Sequence, residues 1–419
     1  MNVTFLKWPV LYYFIWSVAF DEGGYITGQR EWHKAAEYGI LCENINVLTI
    51  QDNIRNRGDI LKFIHTADIH LGAAPDSGMP WAADRGSELW ETFYRLLDKA
   101  EKSDVELLLI AGDLFHRQPL KRELKELNYR FSQLTHTRIV IVAGNHDYIG
   151  TQSFYKDFEW ADNVVFFRKN HISYVYIASL NLVVYGMSYD RQEITEAMYD
   201  QLRPMRRLKD GRPLPEGCRH ILLAHGGDSR HIPINQDKLR QAGFDYVALG
   251  HIHKPWIDDR SPMAYAGALE PIDRNDEGNH GYIQGILSDK ETKIEFVPFA
   301  ERSYITLNAE VTPDMTMRQL AESVKGLLGQ CGRQNMFQIV IEGFRNVDFE
   351  LDEGMLMRLG RVLSVRDHSV PDFDFQHLYE ENQNNIIGMY IRQISEMDIS
   401  DELKAKALGY GMKALLETR

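Results

Sequence analysis

The stretch FIHTADIHLG, residues 63–72, joins a short apolar run to two residues that bind metals well, Asp68 and His70. The run has the length and composition of a buried strand. Alternate side chains of an extended segment share a face, so we expect Asp68 and His70 to point the same way and to reach one ion. His65 lies on the other face, and we interpret it as a packed or supporting histidine. The stretch therefore predicts a strand that leads into a metal-binding loop.

Four further apolar runs lie along the chain, and all five end in similar polar residues. The runs are KFIHTA, VELLLIA, RIVIVA, HILLA and YVAL. Their ends carry the motifs DIH (68–70), GDLFH (112–116), GNHD (144–147), AHGG (224–227) and GHIH (250–253). Segments of helical period lie between the first three runs, so the sequence predicts a layered α/β domain. Ligands of such sheets bind beyond the carboxyl ends of the strands, and we expect the five ends to surround one site.

Seven residues of the five motifs make up the candidate set of oxygen and nitrogen donors. These are Asp68, His70, Asp113, Asn145, His225, His251 and His253. A mixed set of this kind suits manganese, iron or zinc better than calcium or magnesium. Seven ligands are too many for one tetrahedral ion, but they suit two ions about 3.5 to 4 Å apart that share a carboxylate. The motifs therefore predict a dinuclear site for the hydrolysis of phosphate esters by metal-activated water.

The ordered set of motifs resembles the calcineurin-like metallophosphoesterase superfamily, and FIHTADIHLG with GDLFH resembles its SbcD-type DNA repair exonucleases. The resemblance implies a β-sandwich flanked by helices. It implies that one metal ion is held by Asp68, His70, Asp113 and His253. It implies that the other is held by Asp113, Asn145, His225 and His251, with Asp113 bridging.

The resemblance also implies roles for residues that do not hold a metal. His146 matches the family residue that contacts the phosphate and assists the leaving group, and Asp147 would orient it. His116 matches a further histidine near the site, although a packing or supporting role stays open for it. Arg274 and His280 lie in a segment that also resembles the family, but we interpret them as loop residues outside the site.

The function that the resemblance implies is a manganese-dependent nuclease acting on DNA ends, with iron or zinc as alternative metals. An SbcC-like coiled-coil ATPase is the implied partner, and a homodimer is a further expectation. A candidate docking helix carries Ile386, Ile387, Met389, Tyr390 and Ile394, which would serve equally well for packing within the chain. Two alternatives remain open. One is an enzyme for a small phosphoester or a cyclic nucleotide, because the ligands do not specify the leaving group; the other is a noncatalytic scaffold stabilised by metals.

The chain has 419 residues, of which 44% are hydrophobic and 26% charged, as in globular proteins of more than one domain. We predict a metallophosphoesterase domain at 61–300, a small α/β cap domain at 301–345 and a mostly helical C-terminal region at 346–419. The net charge of −13 opposes nonspecific binding to DNA, so such contact requires a local patch or bound ions. Three scattered cysteines fit a reducing compartment, and we predict a cytoplasmic location.

The first sixty residues, 1–60, form an N-terminal extension with two interpretations. Residues 3–20 are strongly apolar, as in a signal or anchor segment, but Lys7 and Pro9 interrupt them. The uninterrupted part is shorter than the roughly 20 residues that a membrane span needs, so we expect no membrane association. The other interpretation is an over-extended gene model with the native start at Leu61.

Overall fold

A computed structural model of the chain describes residues 49–50 and 60–417. The predictions for the segment before Leu61, an apolar targeting sequence or a mis-assigned start, lie almost entirely outside the described residues. In the part of the chain that is described, no helix combines the length and the apolarity that crossing a bilayer requires.

Strands and α-helices alternate over residues 60–142 and again over residues 304–367, with runs of consecutive strands between them. The strands are β1 (Thr49–Ile50), β2 (Ile60–Thr66), β3 (Leu107–Ala111), β4 (Arg138–Val142), β5 (Val164–Phe167), β6 (Ser173–Ile177), β7 (Leu182–Gly186), β8 (Arg219–His225), β9 (Tyr246–Gly250), β10 (Trp256–Ile257), β11 (Met263–Tyr265), β12 (Gly281–Ser288), β13 (Thr292–Pro298), β14 (Tyr304–Val311), β15 (Met336–Arg345), β16 (Val362–Asp367) and β17 (Val370–Pro371). The α-helices are α1 (Ala82–Lys102), α2 (Lys121–Ser132), α3 (Gln236–Arg240), α4 (Met317–Cys331), α5 (Glu353–Met357), α6 (Phe375–Asn382), α7 (Ile386–Ser395) and α8 (Asp401–Glu417). The five runs identified in the sequence are β2, β3, β4, β8 and β9.

Two sheets pack face to face as a sandwich. The six-stranded sheet has the order β13-β12-β2-β3-β4-β5, and its strands β2 to β5 are parallel. The seven-stranded sheet has the order β1-β6-β7-β8-β9-β11-β10. One core cluster contains alternate residues of both sheets, such as Leu109 and Val140 from the first and Val184 and Leu223 from the second, all buried. The predicted sandwich of the layered α/β class is therefore confirmed.

Helices α1 and α2 cover the outer face of the six-stranded sheet. Phe93 and Leu96 of α1 and Leu124 and Leu127 of α2 are fully buried in one cluster with Ile110 of β3. Burying a side chain of this size stabilises the fold by about 1.5–3 kcal/mol. Because these apolar residues recur at helical spacing, the sequence predicted both helices correctly.

A third sheet, with the order β14-β15-β16 and β17 paired to β15, follows the sandwich. Helix α4 connects β14 to the parallel β15 and begins with a capping box in which Thr316 accepts from the Gln319 backbone N–H. Strands β16 and β17 lie in the stretch predicted as mostly helical. Strand β16 is half exposed and ends in Arg366 and Asp367, so it lacks the apolar pattern of a buried strand. The predicted domain division after residue 345 stays a prediction, while the sheet itself extends to Pro371.

Helices α6, α7 and α8 form the C-terminal region and confirm the predicted helical tail. Ile387 and Ile391 of α7 pack with Leu408 and Met412 of α8 in a small buried cluster. The apolar stripe predicted on α7 is divided, since Ile386 is 68% exposed while Ile387 is 3% exposed.

Candidate metal centre

The five motifs meet where the strands of the sandwich end. Strands β2, β3 and β4 are parallel neighbours, so the loops that follow them start side by side. The loop after β2 is tied to the loop after β3 by backbone hydrogen bonds from Asp68 N–H to the Gly112 carbonyl (3.1 Å) and from His70 N–H to the Asp113 carbonyl (3.0 Å). On the facing sheet, β8 ends at His225 and its parallel neighbour β9 ends just before His251. The topology thus brings distant parts of the chain to one place.

The loop backbone differs from the extended conformation expected for DIH. Strand β2 ends at Thr66, and Asp68 and His70 have φ angles of 48° and 52°, in the left-handed region. Asp113 (φ 49°) and His251 (φ 95°) share this feature. The expectation that Asp68 and His70 lie on one face of a strand is therefore wrong. Their side chains converge because the backbone turns at each of them.

Glycines leave room for this close approach. Gly112 has a φ of 89°, and a Cβ on it would overlap the His225 ring. A Cβ on Gly144 would overlap Oδ1 of Asp113. Both positions therefore require glycine, because a side chain would displace a neighbouring donor.

One group of donors surrounds His70. Its Nε2 lies 3.1 Å from Nε2 of His253 and 3.9 Å from Oδ2 of Asp113. Donor atoms of Asp68, His70 and His253 all lie within 4.8 Å of one another, a spacing that one ion can bridge. His70, Asp68 and Asp113 are fully buried, so an ion here would be largely removed from solvent.

A second group of donors surrounds Asn145. Its Oδ1 lies 2.9 Å from Nε2 of His225 and 3.1 Å from Nδ1 of His251. Nε2 of His225 also lies 3.4 Å from Oδ2 of Asp113. Because the same Asp113 oxygen faces His70 in the first group, Asp113 lies between the two groups.

The outward nitrogens of three histidines have acceptors. Nδ1 of His225 faces the Ala111 carbonyl at 2.8 Å, and Nδ1 of His253 faces Asp276. Nε2 of His251 faces Oδ2 of Asp228 at 2.8 Å. Where these acceptors take the ring N–H, the other nitrogen of each ring is the one that can give its lone pair to a cation at the centre. A metal ion accepts lone pairs, so this arrangement fits the donor set to divalent cations.

Asp228 and Asp276 are functional candidates that the sequence analysis missed. Asp228 directly follows AHGG, and Asp276 stands in the segment where only Arg274 and His280 were considered. A single aspartate in a loop rich in glycine and asparagine has the pattern of a turn residue, which gives no signal of contact with a distant histidine.

His146 and His116 lie beside the first group. Their rings stack with centroids 4.8 Å apart, and the His146 ring meets the His70 ring edge-on at 4.9 Å. Nδ1 of His146 lies 3.1 Å from the His116 carbonyl, and Nδ1 of His116 lies 3.3 Å from Nδ1 of His70. A carbonyl only accepts hydrogen bonds, so Nδ1 of His146 carries the hydrogen and Nε2 is left for other partners.

Asp147 has a different environment from the one expected for an orienting residue. Its buried carboxylate accepts hydrogen bonds from the N–H groups of Gly144 (2.8 Å) and Phe115 (3.2 Å) and from the Tyr155 hydroxyl (2.9 Å). The ring of His146 is oriented instead by the His116 carbonyl. Asp147 therefore acts on His146 through the backbone of the GNHD loop.

The charges at the centre favour an ionised Asp113. Burial opposes its ionisation, but the charge and hydrogen bond of His225 outweigh burial and lower the pKa of Asp113. Burial likewise opposes protonation of His225, yet the charge of Asp113 raises its pKa to about 9. For Asp68 burial dominates and raises the pKa to about 6. Asp113 and the protonated His225 thus stabilise each other's charge, and a divalent cation at the centre would replace the His225 proton.

Three other histidine or arginine positions lie outside the donor groups. His65 is fully buried, and its Nδ1 lies 2.8 Å from the Tyr246 hydroxyl, which fits a packed histidine. His280 is buried, and both its ring nitrogens face backbone carbonyls, those of Ala268 and Asp276. Arg274 lies on the exposed part of the same loop.

Comparison with known proteins gives a consistent family. Residues 61–255 match the profile described as calcineurin-like phosphoesterase. An uncharacterised metallophosphoesterase of Bacillus subtilis (strain 168), YhaO, is 27% identical over 305 residues, which cover 68% of this chain and 72% of that protein. The DNA double-strand break repair protein Mre11 of Archaeoglobus fulgidus is 26% identical over 371 residues, which cover 82% of this chain and 80% of that protein.

Among solved structures, a dimetal phosphatase from Danio rerio is similar with a TM-score of 0.32 and 11% identity, over 58% of this chain and 99% of that one. The motifs, their meeting point in the fold and the match of residues 61–255 agree with one another. The chain therefore carries a calcineurin-like metallophosphoesterase domain over those residues.

Proposed function

We propose that the chain is a nuclease, a phosphodiesterase with two metal ions that hydrolyses DNA ends. The observation that carries the proposal is the position of Asp113 between two groups of nitrogen and oxygen donors, with its Oδ2 3.9 Å from His70 Nε2 and 3.4 Å from His225 Nε2. A buried carboxylate between two sets of histidines is what a pair of neighbouring cations requires.

The two donor groups support one set of ligands for each proposed ion. Asp68, His70 and His253 would hold one ion together with Asp113, and Asn145, His225 and His251 would hold the other with the same Asp113. When bound, such ions activate water and stabilise the charge that develops on a phosphate in the transition state. Two dications against the carboxylates of Asp68 and Asp113 leave about two positive charges, which would attract a phosphodiester despite the acidic surface.

His146 would contact the phosphate and donate a proton to the leaving oxygen. Its Nδ1–H is held by the His116 carbonyl, so the ring is fixed and Nε2 is the atom that can hold or release a proton. His116 stacks on this ring and limits its rotation. Asp147 would support the same loop through its hydrogen bonds to Gly144 and Phe115.

DNA is the proposed substrate because a relative named for DNA double-strand break repair aligns over 82% of this chain. Manganese is the proposed metal, since the donors combine imidazole nitrogens with carboxylate and amide oxygens. A cytoplasmic location, a homodimer and an SbcC-like ATPase partner belong to the same proposal. Ile386 and Met389 of α7, 68% and 57% exposed, offer apolar surface for that partner.

The test is hydrolysis by the purified chain. End-labelled duplex and single-stranded DNA would be incubated with Mn²⁺ and, in parallel, after chelation, beside a cyclic nucleotide and a small phosphodiester. We expect shortening of DNA that needs the metal and is lost in His146→Ala. Turnover of the small substrates, with both DNAs left intact, would show that the substrate is a small phosphoester and not DNA. Inactivity toward every substrate with two ions bound would overturn the enzyme proposal in favour of a scaffold.

A further inference from the structure

We propose that Asp228 and Asp276 are positioning residues that decide which ring nitrogen of His251 and of His253 faces the metal centre. Each carboxylate accepts the outward ring N–H and so leaves the inward nitrogen as a lone-pair donor. This inference rests on the proposed metal site and adds two residues to it, neither of which is a metal ligand.

Asp276 acts on His253 from the loop between β11 and β12. Its Oδ1 and Oδ2 lie 3.2 and 3.1 Å from Nδ1 of His253, whose Nε2 faces His70. Backbone N–H groups of Ile272 and Asp273 donate to Oδ2 at 3.1 Å each. The side chain is only 12% exposed, so its orientation is set by these bonds.

Asp228 acts on His251 from the loop after β8. Its Oδ2 lies 2.8 Å from Nε2 of His251, whose Nδ1 faces Asn145. Its Oδ1 accepts from the backbone N–H groups of Arg230 (2.8 Å) and His231 (2.9 Å). The His231 ring contacts both oxygens, with Nδ1 2.9 Å from Oδ2. The backbone N–H groups thus contact Oδ1 alone and His251 contacts Oδ2 alone, while the His231 ring lies within reach of both.

Because the backbone N–H groups and His251 contact different oxygens, Asp228→Asn should weaken metal binding. The amide oxygen of Asp228→Asn would keep the place of Oδ1, because the two backbone N–H groups there need an acceptor. The amide NH₂ would then face Nε2 of His251 and donate to it. The ring hydrogen would move to Nδ1, the nitrogen that faces the centre, and would block it as a ligand.

At position 276, asparagine should not reverse the direction of the hydrogen bond to the histidine. Nδ1 of His253 is nearly equidistant from both oxygens of Asp276, so the amide oxygen of Asp276→Asn can still accept the ring N–H while serving the backbone. Alanine at position 276 removes the acceptor altogether. Metal binding should therefore be weakened more by asparagine than by alanine at position 228, and more by alanine than by asparagine at position 276.

The experiment measures Zn²⁺ affinity by chelator competition and ring tautomers by NMR of the full chain labelled with ¹⁵N at histidine, with and without Zn²⁺. At position 228 we expect alanine to weaken Zn²⁺ binding about 10-fold and asparagine about 100-fold, the range seen when a supporting carboxylate is lost. At position 276 we expect alanine to be the worse of the two. In metal-free Asp228→Asn the His251 hydrogen should be on Nδ1, and in the wild type on Nε2.

Two results would overturn the proposal. One is that the Asp228→Asn protein binds Zn²⁺ more tightly than Asp228→Ala and keeps the wild-type tautomer of His251. Asp228 would then serve only the turn. Binding of a third Zn²⁺ that is lost in Asp228→Ala would make Asp228 a ligand, since Asp228, His231 and His251 lie close enough to hold an ion themselves. A wild type that binds two ions but leaves DNA intact would contradict the proposed substrate and leave this inference standing, because tautomer and affinity do not depend on turnover. If Asp276→Ala fails to fold, the pair at position 228 still decides.

Discussion

Nε2 of His70 and Nε2 of His253 lie 3.1 Å apart, although 183 residues separate the two histidines in the chain. Two imidazole nitrogens meet at this distance either through a shared proton or around a shared cation. Asp113 and Asp68 beside them supply the negative charge that a cation requires. The meeting of these two rings is the geometric basis for the predictions about metal binding.

Asp113→Ala should lose metal as well as activity, because it removes the carboxylate shared by both donor groups and leaves two cations to repel each other. The loss of affinity should exceed the roughly 10- to 100-fold that loss of a supporting residue causes. Metal content and calorimetric titration with Mn²⁺ would measure it, with the exposed Asp314→Ala as control. A fully active Asp113→Ala protein would rule out the bridging position.

His146→Ala should keep both metals and lose turnover by about 10²- to 10⁴-fold, the contribution of a positioned general acid. The ring contacts His70 only at its edge, so its removal leaves the donors in place. Rate measurements at saturating substrate, together with metal analysis of the same sample, would test this. Loss of metal in His146→Ala would instead make it a ligand.

Gly144→Ala should reduce metal affinity, because the added methyl overlaps Oδ1 of Asp113 and pushes the shared carboxylate away. Gly326→Ala is the matched control. Gly326 is an exposed position of α4 where a Cβ meets nothing within 4 Å, so alanine there should raise stability by about 0.5–1 kcal/mol without affecting metal binding. Unchanged Mn²⁺ binding in Gly144→Ala would show that the loop can yield.

Glu88 should make the stability of the fold depend on pH. It lies on α1 and accepts from Nε of Arg302, just before β14, at 2.9 Å and from Arg85 at 2.7 Å. Burial alone would raise its pKa, but these hydrogen bonds outweigh burial and lower the pKa from 4.5 to about 2. Its stabilisation should therefore be complete above about pH 4.5 and be lost as the pH falls towards 2.

Glu88→Gln should lower the free energy of unfolding by about 1.5–3 kcal/mol at neutral pH, the usual contribution of hydrogen bonds to a charged group. Denaturant titrations between pH 7 and 3 would show a smaller pH dependence than in the wild type. Glu322→Gln, in an exposed pair with Arg318, is the control and should change little. Equal curves for Glu88→Gln and wild type would show that the Arg302 contact contributes nothing.

Alanine substitutions of the neighbouring Ile386 and Ile387 of α7 should have different effects on stability and on partner binding. Ile387→Ala should destabilise the C-terminal helices by about 2–5 kcal/mol, because Ile387 is buried between α7 and α8. Ile386→Ala should leave stability unchanged, because that side chain is 68% exposed. If an ATPase partner docks on α7, Ile386→Ala should weaken its binding. Thermal melts and pull-down with such a partner would distinguish the two effects.

The sequence predicted the strands and the position of the polar motifs at their ends for a physical reason. Parallel strands that are buried on both faces appear in the sequence as short continuous apolar runs, and β3 and β4 have this pattern. The polar motif at the end of each run was visible because such residues break the apolar pattern. Edge strands such as β16, half exposed and partly charged, carry no such pattern and were missed.

The conformation of the loops was not predictable from residue spacing. The positive φ angles of Asp68 and His70 arise from contacts with the loop after β3, which a local pattern cannot contain. The same holds for Asp228, whose partner His251 is 23 residues away in the chain, and for Asp276, 23 residues from His253. These supporting contacts depend on tertiary structure and become visible only with it.

The left-handed backbone at Asp68, His70, Asp113 and His251 has a consequence for the evolution of the domain. Each such residue costs about 1–3 kcal/mol, which glycine would avoid. The surrounding sandwich tolerates this strain, so the chemistry depends on a stability reserve supplied elsewhere in the molecule. Variants selected only for resistance to heat should therefore acquire glycine or asparagine at these four positions and lose the proposed metal site as they become more stable.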